Sequence, residues 1–216
     1  MRAKLARKSC YCGDPGLLIV LPEKLRERSV PDIQPILLGQ NYLVFPLTEA
    51  DREELYRAAS DPVLWEQHPA KNRWKRSVFN VYFDALVATP GSVVFVCEKD
   101  LRVVGCSRIY QAPNALNEWS IGFTFIERAL WGGGANLELK SLMLNHLFKT
   151  EERVWFHIDR DNIRSQKATA KLGAVASGEC YADIIGTGQQ AHYLNFVLHR
   201  ETWKRTQSTT TCREEP

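Results

Sequence analysis

Apolar and polar positions recur with two different periods along this chain, and the period switches in an ordered way. Tyr42 to Pro46 is a short, mostly apolar run that predicts a strand. Thr48-Glu49-Ala50-Asp51 follows, with a threonine placed as N-cap and an acid three residues on. The helix it opens is expected to reach about Ser60 and to stop before Pro62. Trp74, Val78, Val81, Tyr82, Ala85 and Leu86 fall at the spacing of one helical face, so a second helix is predicted with these residues inward. After the Thr89-Pro90-Gly91 turn, strands are expected at Ser92 to Glu98, Val103 to Tyr110 and Glu118 to Ile126. In the last of these, Trp119, Ile121, Phe123 and Phe125 alternate with Ser120, Gly122 and Thr124.

A helix is then predicted from the Trp131-Gly132-Gly133-Gly134-Ala135-Asn136 run to about Phe148. Its leucines, Met143 and Phe148 wrap most of the circumference, the pattern of a helix buried on nearly all sides. Arg153 to Ile158 predicts a strand, and Asn162 to Leu172 a helix closed by Gly173. Gly178 to Ile185 and Gln190 to Leu198 complete the series as strands. The order is β-α-α-β-β-β-α-β-α-β-β, without an internal repeat. Residues 1–38 carry recurrent prolines and no period, and read as an extension; 39–203 read as one domain, and 204–216 as a tail.

Composition narrows the class. The chain has 216 residues, 44% hydrophobic and 25% charged, enough to bury one sizeable core. No apolar run nears the roughly 20 residues of a spanning helix, and no cleavable export signal is legible, so no membrane partner is expected. The net charge of +3 lies wholly in residues 1–40, and the remainder holds 21 residues of each sign. A neutral body is a poor binder of phosphate backbones, so no nucleic acid is expected. The basic start at Arg2, Lys4, Arg7 and Lys8 is either an arm for an acidic partner or a solvated terminus. Of the six cysteines, only Cys10 and Cys12 lie close together, and no second pair answers them, so no metal site is expected. Cys97 and Cys106 sit in strand-like runs as small buried hydrophobes, which points to reduced thiols and a cytoplasmic location.

Three consecutive glycines between a strand and an apolar helix carry the chemistry. Glycine lets a backbone approach closely, and successive N–H groups at a helix start form a nest for an anion. A tight turn with no ligand is the plainer alternative. A Walker-type loop is excluded because Ala135-Asn136 stand where Lys-Ser/Thr is needed. A dinucleotide fingerprint is excluded because Leu137 stands at its third glycine.

From Leu38 to Trp203 the chain resembles the GNAT N-acetyltransferases, and among them the RimJ/RimL-like branch. The resemblance rests on Ile121-Gly122-Phe123-Thr124, on Trp131-Gly132-Gly133-Gly134, and on Asn162-Ile163-Arg164-Ser165 leading to Lys171-Leu172-Gly173-Ala174. It implies an α/β (α+β) fold with a mixed, mostly antiparallel, splayed sheet flanked by helices. It implies acetyl-CoA as cosubstrate, and direct attack of a primary amine on its thioester. Phe123, Thr124, Phe125 and Ile126 would face the pantetheine arm, and Trp131, Gly132, Gly133, Gly134, Ala135 and Asn136 the pyrophosphate. Asn162 and Ser165 would reach the pantetheine, and Lys167, with Arg128 and Arg164, the adenosine phosphates.

Amine attack needs a proton acceptor. Glu118, opening the strand that would hold the thioester, is the expected base, with His68 and His157 behind it. Two departures from the family pattern stand out: Thr169 replaces the tyrosine that protonates the leaving thiolate, and Asn136 replaces a small residue. The resemblance places the acceptor between Trp65, Glu66, Gln67, His68 and Arg73 on one side and Tyr181, Asp183, Ile184 and Gly186 to Gln190 on the other. Glu66 and Asp183 suit a cationic amine, whether a protein N-terminus, a polyamine or an aminoglycoside. Three readings compete: an N-acetyltransferase, monomeric or homodimeric; a CoA-binding module without turnover; and an interaction protein using its basic arm.

Overall fold

A computed structural model describes residues 30–211, so the basic arm, the Cys10/Cys12 pair and Cys212 lie outside the described residues. Eight strands form one sheet: β1 (Leu37–Leu38), β2 (Tyr42–Pro46), β3 (Ser92–Cys97), β4 (Val103–Gln111), β5 (Trp119–Ile126), β6 (Arg153–Asp159), β7 (Val175–Ile184) and β8 (Gln189–His199). Their order across the sheet is β1-β2-β3-β4-β5-β6-β8-β7. Every neighbouring pair is antiparallel except β5 with β6. The five helices are α1 (Arg52–Ala59), α2 (Arg76–Val87), α3 (Ala135–Leu147), α4 (Ile163–Lys171) and α5 (Arg200–Thr211).

The two-residue period of β3 shows how the layers form. Val93 and Phe95 join a core with Leu139, Met143, Leu144 and Leu147 of α3. Val94 and Val96 face the other way and join Leu55 of α1 with Phe79, Tyr82, Phe83 and Leu86 of α2. A strand so placed is apolar at successive positions, here Val93 to Val96, because helices cover both sheet faces. Each fully buried side chain of this kind stabilises the fold by about 1.5–3 kcal/mol.

Local signals hold where their partners lie nearby. Thr48 and Asp51 form the capping box: the Thr48 N–H donates to Asp51 Oδ2 at 2.7 Å. The first turn after it is 3-10, over Glu49–Asp51. The expected strands begin and end within a residue or two of their expected bounds, except β7, which starts at Val175 rather than Gly178; β1 is not among those expected.

Four expectations are corrected. The buried face of α2 is Phe79, Tyr82, Phe83 and Leu86, whereas Val81 is half exposed; Trp74 precedes the helix, so a frame counted from it is rotated. Helix α3 is not apolar all round, since Leu137 is exposed and Lys140 is buried. The edge of the folded unit lies before residue 39: Ile33 and Leu37 pack on the core, β1 pairs with β2, and Asp32 C=O bonds His146 Nε2 at 2.7 Å. At the other end α5 runs to Thr211 through the expected tail, anchored by Trp203, which is 2% exposed and donates its indole N–H to Asn145 at 2.7 Å.

Candidate active site

Strands β5 and β6 run parallel but pair only at Trp119–Val154 and Ser120–Trp155. Beyond these rungs they separate, and a cleft of about 740 Å³ opens between Ile121–Ile126 on one wall and Phe156–Asp159 on the other. The splay leaves the facing backbone edges without ladder partners from each other, so an extended ligand can pair there in strand fashion.

The wall formed by β5 is bent at one point. Its register with β4 jumps from Cys106–Phe125 to Arg108–Gly122, so Phe123 and Thr124 together oppose Ser107. Phe123 takes up the extra residue at φ 53°, in the left-handed region that a bulky side chain occupies only under constraint. Its carbonyl is turned toward α2, where the Tyr82 hydroxyl donates to it at 3.3 Å. A bulge of this kind re-aims backbone groups into a site.

At the cleft floor is a polar chain that the sequence did not disclose. Lys140 of α3, 7% exposed, donates to Thr124 Oγ1 at 2.6 Å, and Thr124 Oγ1 lies 2.7 Å from Ser107 Oγ. Ser107 in turn donates to the Gly122 carbonyl at 3.1 Å. No carboxylate among the described residues pairs with Lys140, and burial pulls its pKa down to about 7. Lys140 therefore changes charge near neutrality. A lysine inside a leucine-rich helix gives no periodic signal of such a role, because its identity as a site residue depends on Thr124, sixteen positions away.

The glycine loop enters from the far end of β5. Gly132 and Gly134 adopt φ 78° and 86°, and Gly134 is the N-cap of α3. A Cβ placed on either would meet nothing within 4 Å, so the space beside this backbone is open. The first N–H groups of α3 have no intrahelical acceptor and point into that space, where the helix dipole favours negative charge. Asn162 caps α4, accepting the Ser165 N–H at 3.1 Å. Arg164 stacks on Trp131 at 3.9 Å, and Lys167 and Lys171 complete a basic rim. Open glycine backbone, a helix start, a basic rim and a splayed strand edge suit a ligand with a pyrophosphate and an extended amide-bearing arm.

Most expected site residues share this cleft. Phe123, Thr124, Phe125, Ile126, Trp131, Gly132, Gly134, Asn136, Asn162, Ser165 and Lys167 line it, as do Trp65, His68, Asp183 and Thr169. Gly133 and Ala135 do not; Ala135 is buried under the helix start. Trp65 is as much core as site, 2% exposed with its indole N–H given to Ala59 C=O at 2.8 Å. Glu66 is exposed and outside the cleft lining.

The expectation for Glu118 is corrected. Its carboxylate binds the Arg153 guanidinium and the Trp155 indole N–H beside the paired rungs of β5 and β6, before the strands splay. It does not line the cleft. A carboxylate held this way fastens two strands, and it stands outside the cleft where an amine would lie. His157 does line the cleft, between the Tyr110 hydroxyl at 3.0 Å and Asn114 Oδ1 at 2.7 Å, and burial lowers its pKa to about 4. His68 is held neutral by burial and by the neighbouring Arg73 charge.

Among the described residues no helix is long and apolar enough to cross a membrane, and no group of three or more His, Cys, Asp or Glu is placed to hold a metal. Residues 42–175 match the family model described as an acetyltransferase (GNAT) domain. No curated protein matches the sequence significantly. A GCN5-related N-acetyltransferase from Brucella melitensis superposes with a TM-score of 0.71 at 16% identity, over 85% of this chain and 86% of that one. A GNAT-family acetyltransferase from Bacillus anthracis superposes with a TM-score of 0.59 at 14% identity, over 77% and 99%. RimJ of Mycobacterium smegmatis, solved with CoA-disulfide, superposes with a TM-score of 0.61 at 19% identity, over 83% and 97%.

Proposed function

The chain belongs to the GNAT acetyltransferase family, whose members use acetyl-CoA, and on that premise we propose that it transfers the acetyl group directly to a primary amine of a small molecule or a protein N-terminus. The observation that carries this is the joint position of the bulge at Phe123–Thr124, the β5–β6 splay and the glycine-opened start of α3 in one cleft. Backbone N–H groups of Gly132, Gly134 and Asn136 would hold the pyrophosphate, and the free edge of Phe123 to Ile126 the pantetheine. Asn162, Ser165 and Lys167 would line its path. Acetyl-CoA supplies an activated acyl carbon with a thiolate as leaving group.

The protein's own part is to orient the reactants and to move one proton. Neutral Lys140, next to Thr124, accepts the proton that the attacking nitrogen gives up and returns it to the departing sulfur. It takes the place of Glu118 as base and of the acid that Thr169 does not offer. The bulge backbone polarises the thioester carbonyl. A RimJ/RimL-like branch is part of this proposal, supported by the fold shared with the Mycobacterium smegmatis protein. So is a cytoplasmic location, which the free Cys97, Cys106 and Cys180 favour.

Calorimetry with CoA, followed by mass spectrometry of a primary-amine panel incubated with acetyl-CoA, tests the reading. Saturable CoA binding and a mass gain of one acetyl group on at least one amine are expected. Absence of any binding heat with CoA would overturn it.

A further inference from the structure

A second polar feature of the cleft lies in the connection between α1 and α2, on the acceptor side. Arg73 is 2% exposed and lines the cleft, yet it forms no ion pair among the described residues. Its guanidinium lies 3.9 Å from the ring centroid of Tyr82 and 5.2 Å from that of Trp65. These rings fix its plane and leave its edges to hydrogen-bond. One edge nitrogen donates to Ile185 C=O at 3.3 Å, and the buried Nε has no partner.

The remaining contact, Nη1 with His68 Nε2 at 3.3 Å, is not what it first seems. His68 Nδ1 accepts the Ala70 N–H at 2.9 Å. In a neutral imidazole the proton then sits on Nε2. Two donors therefore face each other, and neither satisfies the other. A buried guanidinium with five N–H donors and one backbone acceptor is left in the cleft beside a second N–H. Leaving a charge unpaired at this depth is strongly unfavourable unless something answers it.

A negative group with two oxygens side by side answers it best. A carboxylate presents two oxygens at the spacing of the guanidinium fork and accepts the imidazole N–H as well. Arg73 is also close to the reaction locus, because the ring it stacks on is that of Tyr82, whose hydroxyl donates to the Phe123 carbonyl in the bulge. Its neighbours Trp65, His68, Tyr82 and Ile185 belong neither to the glycine loop nor to α3, so the pyrophosphate nest does not account for it. We propose that His68 and Arg73 form a carboxylate-binding subsite, so that the acceptor is a small molecule bearing a carboxylate as well as the amine, an amino acid in the broad sense. The proposal rests on the acetyl-transfer reading above and sharpens its acceptor. A polyamine or an aminoglycoside would bring further positive charge against a buried cation. The exposed Asp183, also in the lining, accepts from Gln190 Nε2 at 3.1 Å through Oδ1 and would face the amine end.

The test compares the common L-amino acids, β-alanine and γ-aminobutyrate with their carboxamides as acceptors, scored by CoA release and product mass. With native protein, kcat/KM for the best acid should exceed that of its amide by at least about tenfold, the usual worth of hydrogen bonds to a charged group. Arg73→Gln should bring that ratio to near one with the KM for acetyl-CoA unchanged. If Arg73→Gln does not fold, Arg73→Lys, which keeps the charge and loses the fork, should lower the ratio, and a native ratio near one overturns the proposal without either variant. Amides, or peptide amides without a carboxylate, acetylated as well as the acids would overturn the proposal. So would an acid preference that survives Arg73→Gln. If CoA binds but no amine is acetylated, the transfer reading fails separately, and the subsite is judged by tryptophan fluorescence in the presence of CoA. Saturable, Arg73-dependent titration by the acids and not by the amides then upholds it; titration alike by both, or by neither, overturns it.

Discussion

The two ends of the cleft recognise their ligands by opposite means. The cosubstrate end is made of backbone: glycines that remove side chains, a helix start that offers N–H groups, and a strand edge released by splaying. The acceptor end is made of buried side chains: Arg73, His68, Trp65 and Tyr82, brought together from the α1–α2 connection and α2, with Ile185 at the end of β7. Backbone recognition is generic and suits a cosubstrate common to many enzymes. Side-chain recognition is particular and suits a substrate that must be told from its analogues. Between the two ends lie the Phe123 bulge and Lys140, where the reaction would occur.

The sharpest way to break this division is at the loop. Gly134→Val places a branched side chain where the backbone is open and forces it into a left-handed conformation at 86°. Affinity for CoA, read by calorimetry, should fall by at least about 100-fold as the N–H nest is blocked. The melting transition should remain, because Gly134 is exposed and a Cβ there meets no neighbour. Preserved affinity would mean that the loop is only a turn.

Next in size is the point between the two ends. Lys140→Met should lower kcat by about 10²-fold with little change in the KM for acetyl-CoA. The native pH–rate profile should rise through about pH 7, since the neutral amine is the active form, and the variant should lack that rise. Stability gives an independent readout. The folded pKa of Lys140 lies near 7 against an ordinary 10.5, so between these values the unfolded chain binds the extra proton. Native stability should therefore increase with pH across that window, by a few kcal/mol at most, and level off below it. The variant should lose that slope. A profile that overlays the native one would move the proton to another group, such as the Tyr110–His157 pair in the lining.

The smallest expected effect belongs to Glu118. Glu118→Gln should leave kcat within about threefold and the pH profile unchanged, because the carboxylate lies outside the cleft. It should cost about 1 kcal/mol of stability, read from denaturant melts. The Arg153 pair is partly solvated, and the Trp155 indole keeps a carbonyl to bind. A deficit of 10²-fold that shrank at high pH would restore it as the base.

Legibility in the sequence followed the same division. The glycine run, the strand before it and the Asn162–Ser165 helix start are contiguous segments whose meaning comes from backbone geometry, and the structure gathers most of them in one cleft. The capping box of Thr48 and Asp51 was readable for the same reason. Glu118 shows that a position next to β5 in sequence is not a position in the site. Only the β5–β6 pairing shows that the splay begins after it. The face of α2 was rotated because Trp74, counted in its period, lies outside the helix. Lys140 had no signal at all, since one lysine among leucines looks like a solvated residue until Thr124 is found beside it.

By itself the sequence determined the order of the elements from β2 to β8, the mixed sheet with helices on its faces, the family, and hence the cosubstrate. Each of these rests on local periodicity or on contiguous motifs, and local physics acts within a few residues. Only the tertiary structure decided which polar groups are buried and what they face. It set Lys140 against Thr124, closed Glu118 into an ion pair, and left Arg73 beneath Trp65 and Tyr82 without an anion. Burial and pairing depend on residues far apart in the chain. They set the charge and the hydrogen-bonding capacity of each group, so the chemistry of this site exists only once the sheet has brought them together.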